Sequence, residues 1–352
     1  MSGGHGRGVL LVGSFPPPDA GSAQPSDLLA ALLAERGWRV LVTSRRRGRV
    51  GSLADALATI WRRRHEYDVA QVDVFSGRAF RRAEAACALL GRLGKPFVLT
   101  LHGGGLPAFA RRRPARVARL LARARAVTAP STWLAGELAA LRPDIQVIPN
   151  PLQLERYPFR PRAGARPELI WLRAFHAVYD PERAVEVVAR LAVERPRLRL
   201  TMIGPDKGDG SRARAIRAAE RRGVGDRIRW AGAVPKAEVP SRLDRADVFL
   251  NTSTVDNAPV SVLEAMACGL CVVSTDAGGI PELVEDGVEA LLAPVGDAGA
   301  LAAAVGRILD DPDLAGRLSR AGRRRAEAND AAGVVPRWAG VLVGAVPEAV
   351  EA

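Results

Sequence analysis

Residues 251–282 read NTSTVDNAPVSVLEAMACGLCVVSTDAGGIPE, and this stretch constrains the fold more than any other in the chain. An apolar strand ends at Asn251, a polar loop follows, a helix begins near Pro259, and a second strand covers 271–275. Strand, loop, helix and strand in so short a span make one unit of a parallel sheet, because parallel neighbours need a crossover between them. Within it, Asp256 lies in the loop and Glu264 in the helix, among Val262, Leu263, Ala265 and Met266. A carboxylate in such company is costly to bury unless something donates hydrogen bonds to it.

The helix start suggests a ligand. Proline suits the first helical position, where its missing N–H would be unpaired anyway. With Pro259 there, the free N–H groups of Val260 and Ser261 and the positive end of the helix dipole form an anion site. Glu264 lies on the same helix face, about 5 Å farther along the axis. A phosphate at the helix start therefore leaves a ribose beside Glu264, with Asp256 facing the group at the phosphate's other end.

A carboxylate, seven residues, then Glu in a helix continuing as EAMACG, followed by a VVST strand and a GGIPE turn, resembles the donor site of retaining glycosyltransferases of family 4, which have the GT-B fold. The resemblance implies a nucleoside diphosphate sugar as donor, with Asp256 on the sugar and Glu264 on the nucleotide ribose. It implies front-face attack in which the departing phosphate takes the acceptor's proton, so no protein nucleophile is assigned. No metal and no separate cofactor is expected. The family usually has Glu where this chain has Asp256, a difference of one methylene that bears on which sugar is bound.

The rest of the chain fits two α/β halves. Strands are expected over 9–13, 40–43, 69–75, 97–101, 126–129 and 145–149, then over 169–172, 198–203, 228–230 and 248–251, with helices between them. The domains are read as 1–157, a Pro/Arg-rich linker at 158–167, and 168–328, with 329–352 returning to the first domain. Strand and helix alternation on both sides of a linker predicts two doubly wound, Rossmann-like domains facing a cleft. VIPNPLQLERY at the junction resembles the family's interdomain link, with Pro151 in place of its usual glycine.

Further site residues follow from the resemblance. The strand over 97–101 runs into His102-Gly103-Gly104-Gly105, where the family commonly places a histidine facing the donor sugar. HGGG is also an oxyanion-loop sequence of lipase-like hydrolases, but their G-x-S-x-G nucleophile elbow is missing from this sequence. After the first strand of the second domain the family has an arginine and, five residues on, a lysine for the diphosphate. Arg173 matches the first and Val178 stands at the second, so Lys207 in GPDKGDG, one of three lysines in the chain, is assigned the missing charge. The catalytic candidates are thus His102, Arg173, Lys207, Asp256 and Glu264. The substrate-binding candidates are Gly13, Ser14 and Gly21 in the first loop, Gly103 beside the histidine, and Asn257, Val260 and Ser261 at the helix start.

Other classes fall away. GSFPPPDAG lacks the G-x-G-x-x-G spacing of a dinucleotide fold. Cys268 and Cys271 have redox spacing but span a helix end and a strand, and read as small core residues. Three cysteines in 352 residues argue for a reducing compartment. No apolar run reaches the roughly 18 residues of a transmembrane helix, and the start does not read as a signal peptide. The expected location is the cytoplasm.

The net charge of +13 is confined to the first 150 residues, which hold 23 basic against 10 acidic residues; the remainder holds 28 of each. Basic runs at 45–49, 61–65 and 111–113 have little aromatic interleaving and match no nucleic-acid module. The excess points to an anionic or lipid-linked hydroxyl acceptor and to peripheral contact with the inner face of a membrane. The role expected is in polysaccharide biosynthesis. Alternatives are a nucleotide-sugar epimerase, a glycogen-type synthase, or a non-catalytic nucleotide-sugar-binding subunit.

Overall fold

A computed structural model of the chain describes residues 7–13, 15, 25–43 and 49–347. These fall into two compact units: one runs up to Pro151 and resumes at Ala331, the other is Leu152–Asp330. In chain order the first unit contains β1 (Gly8–Val12), α1 (Pro25–Glu35), β2 (Arg39–Val42), α2 (Arg49–Arg62), β3 (Val69–Val74) and α3 (Arg78–Arg92). It continues with β4 (Phe97–Leu101), α4 (Leu106–Arg112), α5 (Pro114–Leu121), β5 (Ala126–Ala129), α6 (Thr132–Leu138) and β6 (Gln146–Val147). Its six-stranded sheet has the order β2-β1-β3-β4-β5-β6, with every pairing parallel.

The second unit contains β7 (Glu168–Leu172), α7 (Pro181–Ala192), β8 (Arg199–Ile203), α8 (Ser211–Arg221), β9 (Ile228–Gly232), α9 (Val239–Asp244) and β10 (Val248–Asn251). Then come α10 (Val260–Ala267), β11 (Cys271–Thr275), α11 (Ile280–Leu283), β12 (Ala290–Ala293), α12 (Ala298–Asp310) and α13 (Pro312–Glu327). Its order is β12-β11-β10-β7-β8-β9, again parallel. The last helix, α14 (Ala331–Ala345), belongs to the first unit, where Val334, Val335, Trp338 and Leu342 pack with Val9, Leu11 and Leu33. That return is the one expected for the chain's last helix.

Parallel strands are covered on both faces and so read as unbroken apolar runs. Every residue of β1 (GVLLV), β4 (FVLTL) and β11 (CVVST) is buried. The helices bury one stripe each: α3 presents Phe80, Ala83, Cys87 and Leu90 to the core at helical spacing. Asp180 caps α7 by accepting from Arg183 N–H at 3.2 Å, ahead of Pro181 in the first turn.

Several local features differ from those expected. The strand at 145–149 shrinks to the two residues of β6, and β12 was not foreseen. Pro259 is the residue before α10 rather than its first, with φ −68° and ψ 111°. The division between units falls after Pro151, and residues 158–167 are no loose linker. Arg162, 1 % exposed, donates to Ala246 O at 2.9 Å and Asp247 at 3.3 Å, and Arg160 and Arg166 also donate to Asp247. Burial would raise the Asp247 pKa, but Arg166 and Arg160 outweigh it and hold the carboxyl far below its usual range. The segment is fastened to the residue that precedes β10.

Candidate functional site

In a doubly wound sheet, ligands bind beyond the strand ends where the chain reverses its direction of winding. In the second unit that place lies between β7 and β10, which are adjacent although two strands intervene in sequence. Arg173 directly follows β7, and the loop bearing Asp256 follows β10. The two are brought together: the Arg173 guanidinium is paired with Asp256 Oδ2, contacts Ser261 Oγ at 3.3 Å, and stacks over the Tyr179 ring at 4.2 Å. Asp256 Oδ2 also accepts from Ser253 Oγ at 3.0 Å, and Oδ1 from Asn257 N–H at 3.0 Å. Burial lowers the Arg173 pKa while Tyr179 and Glu264 act to raise it, and an arginine keeps its charge in such a setting. Its Nε is buried without a partner among the described residues.

Two glycines permit this packing. A Cβ on Gly278, at φ +59°, would lie 2.1 Å from Asp256 O. One on Gly204 would lie 1.8 Å from Arg173 O. Both are positions where only a missing side chain lets two backbone segments meet.

Val260 and Ser261 open α10, so their N–H groups have no partner within the helix. Glu264, one turn on, is 2 % exposed. Its Oε1 accepts from the Tyr157 hydroxyl at 2.6 Å and is paired with Lys236, while Oε2 has no partner among the described residues. Burial and the Glu264 carboxylate push the Tyr157 hydroxyl far above its ordinary pKa, so it remains a donor. Neither Lys236 nor Tyr157 figured among the sequence candidates. Lysine scarcity was the only signal for Lys236; nothing marked Tyr157.

Lys207 is exposed. Its backbone N–H donates to Phe175 O at 3.2 Å, and Asp209 fixes the same loop by accepting from Ala177 N–H at 2.8 Å. Hydrogen bonds from Ala177 and Ser211 hold the Asp209 pKa down to about 2. The loop thus lies along the Arg173–Val178 segment, while no partner for Lys207 Nζ occurs among the described residues.

His102 lies in the first unit, after β4, and is nearly buried. Its ring stacks on Phe75 at 4.9 Å, and its Nε2 is 3.0 Å from Asp73 Oδ1. Asp73 also accepts from Gln71 Nε2 at 2.8 Å and Ser26 Oγ at 2.6 Å. Burial opposes the charge on Asp73, but His102, Ser26 and Gln71 outweigh it and lower its pKa. Sequence reasoning missed this carboxylate, whose signal was an acid inside the apolar run VAQVDVF. Gly13, at the end of β1, sits against it: a Cβ there would fall 2.3 Å from Asp73 Oδ2. Gly103 follows His102 at φ +78°, facing Phe75. Ser14 and Gly21 lie outside the described residues.

Cys87, Cys268 and Cys271 are buried and unpaired, and burial pushes each thiol up to about 12. A thiolate is therefore not available at the C-x-x-C pair, in keeping with a core role.

Comparison with known proteins bears on both units. Residues 158–325 match the family described as glycosyl transferases group 1, and residues 17–156 match glycosyltransferase family 4. The amylovoran biosynthesis glycosyltransferase AmsK of Erwinia amylovora is 36% identical over 169 residues, 42% of this chain and 40% of that protein. Glycogen synthase of Mycobacterium tuberculosis is 32% identical over 186 residues, 52% of this chain and 44% of that one. The chain therefore matches less than half the length of these curated relatives. Among solved structures, Anabaena HepE in complex with UDP and glucose superposes with a TM-score of 0.79 at 18% identity, covering 96% of this chain and 99% of that one. Sucrose-phosphate synthase from Thermosynechococcus elongatus gives 0.81 at 19% identity, covering 95% and 98%. At such identities these two matches bear on the fold alone.

Proposed function

The chain belongs to the glycosyltransferases that these two family matches describe and has their GT-B fold; on that premise we propose that it moves a sugar from a nucleoside diphosphate sugar to a hydroxyl acceptor, with retention at the anomeric carbon. One observation carries the reading: Arg173 and Asp256 meet at the switch point of the second unit, with the first turn of α10 and Glu264 beside them. In this reading the Val260 and Ser261 amides and Arg173 hold the diphosphate. Asp256 and Asn257 orient the sugar, and Glu264 Oε2 takes a ribose hydroxyl. Charge grows on the leaving phosphate in the transition state, and cations already in place stabilise it without reorganising. The departing phosphate oxygen accepts the acceptor's proton. The chain's own cations and amides take the part a metal plays elsewhere.

Melting curves with UDP-, GDP- and ADP-sugars test the donor assignment, since a ligand at 100 times its dissociation constant stabilises by about 2.7 kcal/mol. Release of nucleoside diphosphate that depends on an added hydroxyl acceptor then separates transfer from binding alone. No stabilisation by any of the three donors would sink the reading.

The acceptor side of the proposal rests on charge. No described helix is long and apolar enough to cross a membrane. On the first unit Arg112, Arg113 and Arg119 are exposed, while Arg111 pairs with Glu137 and Arg116 with Glu84. Such a face suits an anionic or lipid-linked acceptor at a membrane surface, where each arginine contributes about 1 kcal/mol. Replacing Arg111, Arg112 and Arg113 together by Ser should abolish salt-sensitive sedimentation with anionic liposomes. Equal recovery of the native chain with neutral and anionic vesicles would remove the membrane from the proposal.

A further inference from the structure

Lys236 begins a short turn after β9 and has no part in the sequence-based assignment. Its side chain is 38% exposed, yet its ammonium sits against the Glu264 carboxylate, which is 3% exposed. Glu264 is thus served on one oxygen by two donors, Lys236 and Tyr157, and open on the other. Arg173 is likewise occupied by Asp256. Both carboxylates proposed to meet donor hydroxyls are therefore already matched with cations in the free protein.

A diphosphate brings more negative charge to the start of α10 than the single Arg173 guanidinium, which contacts Ser261 there, can balance. Glu264 stands one turn, about 5 Å, from the first-turn amides, a distance the flexible four-carbon stem of a lysine spans. Resting on the donor reading above, we infer that Lys236 is the second diphosphate cation, parked on Glu264 until a nucleotide arrives and then handed to the phosphates as a ribose hydroxyl joins Glu264. The arrangement suits lysine rather than arginine, because a point charge can change partners without reproducing a fixed fork of donors. It also answers a need of the empty site: a carboxylate this buried is costly without a cation, and the ribose takes over part of that duty only when bound. Binding is then an exchange of partners at two adjacent ion pairs. Lys207 is exposed on its loop, with no partner for its Nζ among the described residues, and is the competing candidate.

The test compares a nucleoside diphosphate with its nucleoside on the full chain, taking UDP, GDP or ADP according to which raises the native melting temperature most. Lys236→Met keeps the stem and removes the charge. It should weaken the diphosphate at least about tenfold, the effect of losing a charge-assisted hydrogen bond, and leave the nucleoside within about twofold. Lys207→Ala should change neither by more than about threefold. Lys236→Gln, which still donates to Glu264, gives the same comparison should the Met variant melt early. Equal weakening of diphosphate and nucleoside would make Lys236 a structural partner of Glu264 and overturn the inference. A loss confined to Lys207→Ala would overturn it in favour of that residue. A native chain that binds none of the three diphosphates would instead take down the donor reading itself.

Discussion

Both units have carboxylates near the carboxyl ends of parallel strands, Asp73 in β3 and Asp256 after β10 with Glu264 one turn into α10, and furnish them differently. In the first unit Asp73 is surrounded by an imidazole, an amide and a hydroxyl, all within 3.0 Å. In the second, Asp256 and Glu264 face a guanidinium and an ammonium. Several directed donors fix a carboxylate and whatever it touches, so Asp73 holds the His102 ring. A cation is held mainly by charge, and a ligand bearing more charge can draw it away. The first arrangement positions; the second exchanges.

That contrast breaks most visibly at Glu264. Glu264→Ala should weaken nucleotide binding by roughly 100-fold, since it strips a charged acceptor from the ribose and leaves Lys236 and the Tyr157 hydroxyl without their partner. Titration of the variant against the native chain checks this, and near-equal affinities would misplace the nucleotide altogether.

Asp73→Asn is the next largest change and should act on stability, by about 2 kcal/mol at neutral pH, through hydrogen bonds to a charged group. The sign follows from the lowered pKa. In the folded chain Asp73 titrates below its unfolded value, so its contribution is complete above the ordinary aspartate range. It fades as pH falls through the lower folded value. Urea melts from pH 7 downward should show native and variant stabilities converging in acid; a constant gap would mean that the charge of Asp73 is immaterial.

Asp256→Ala should be the mildest of the three, weakening nucleotide-sugar donors about tenfold while leaving the bare nucleoside diphosphate bound as well as before or better, because Arg173 is released. Asp256→Glu should alter the preference among donor sugars. If Asp256→Ala weakened the bare diphosphate as much as the sugar donor, the exchange picture of the second unit would fail and its carboxylates would be fixed posts like Asp73.

Much of the architecture was legible because parallel strands leave a local signature: GVLLV, FVLTL and CVVST announce themselves without reference to anything distant. Edge strands were uneven: β2 and β9 were expected, β6 keeps two of the five residues expected, and β12 was missed. The same division runs through the site. Asp256, Asn257, Val260, Ser261 and Glu264 lie in one stretch, and their spacing shows. Lys236 meets Glu264 across 28 residues, Asp73 meets His102 across 29, and Tyr157 meets Glu264 across 107. Such pairings have no periodicity to read. Residues 158–167 misled for a related reason: proline and arginine look like a solvated linker until Asp247 appears as their common partner.

The buried cysteines leave the folded chain without a reactive thiol. With thiols raised to about 12, only about one in ten thousand is ionised at pH 8, and none of the three is exposed. Maleimides and iodoacetamides should pass over the folded protein. The native sequence is therefore already a silent background for single-site labelling, and a cysteine introduced on an exposed residue such as Val193 could carry a fluorophore or spin probe without first removing any other.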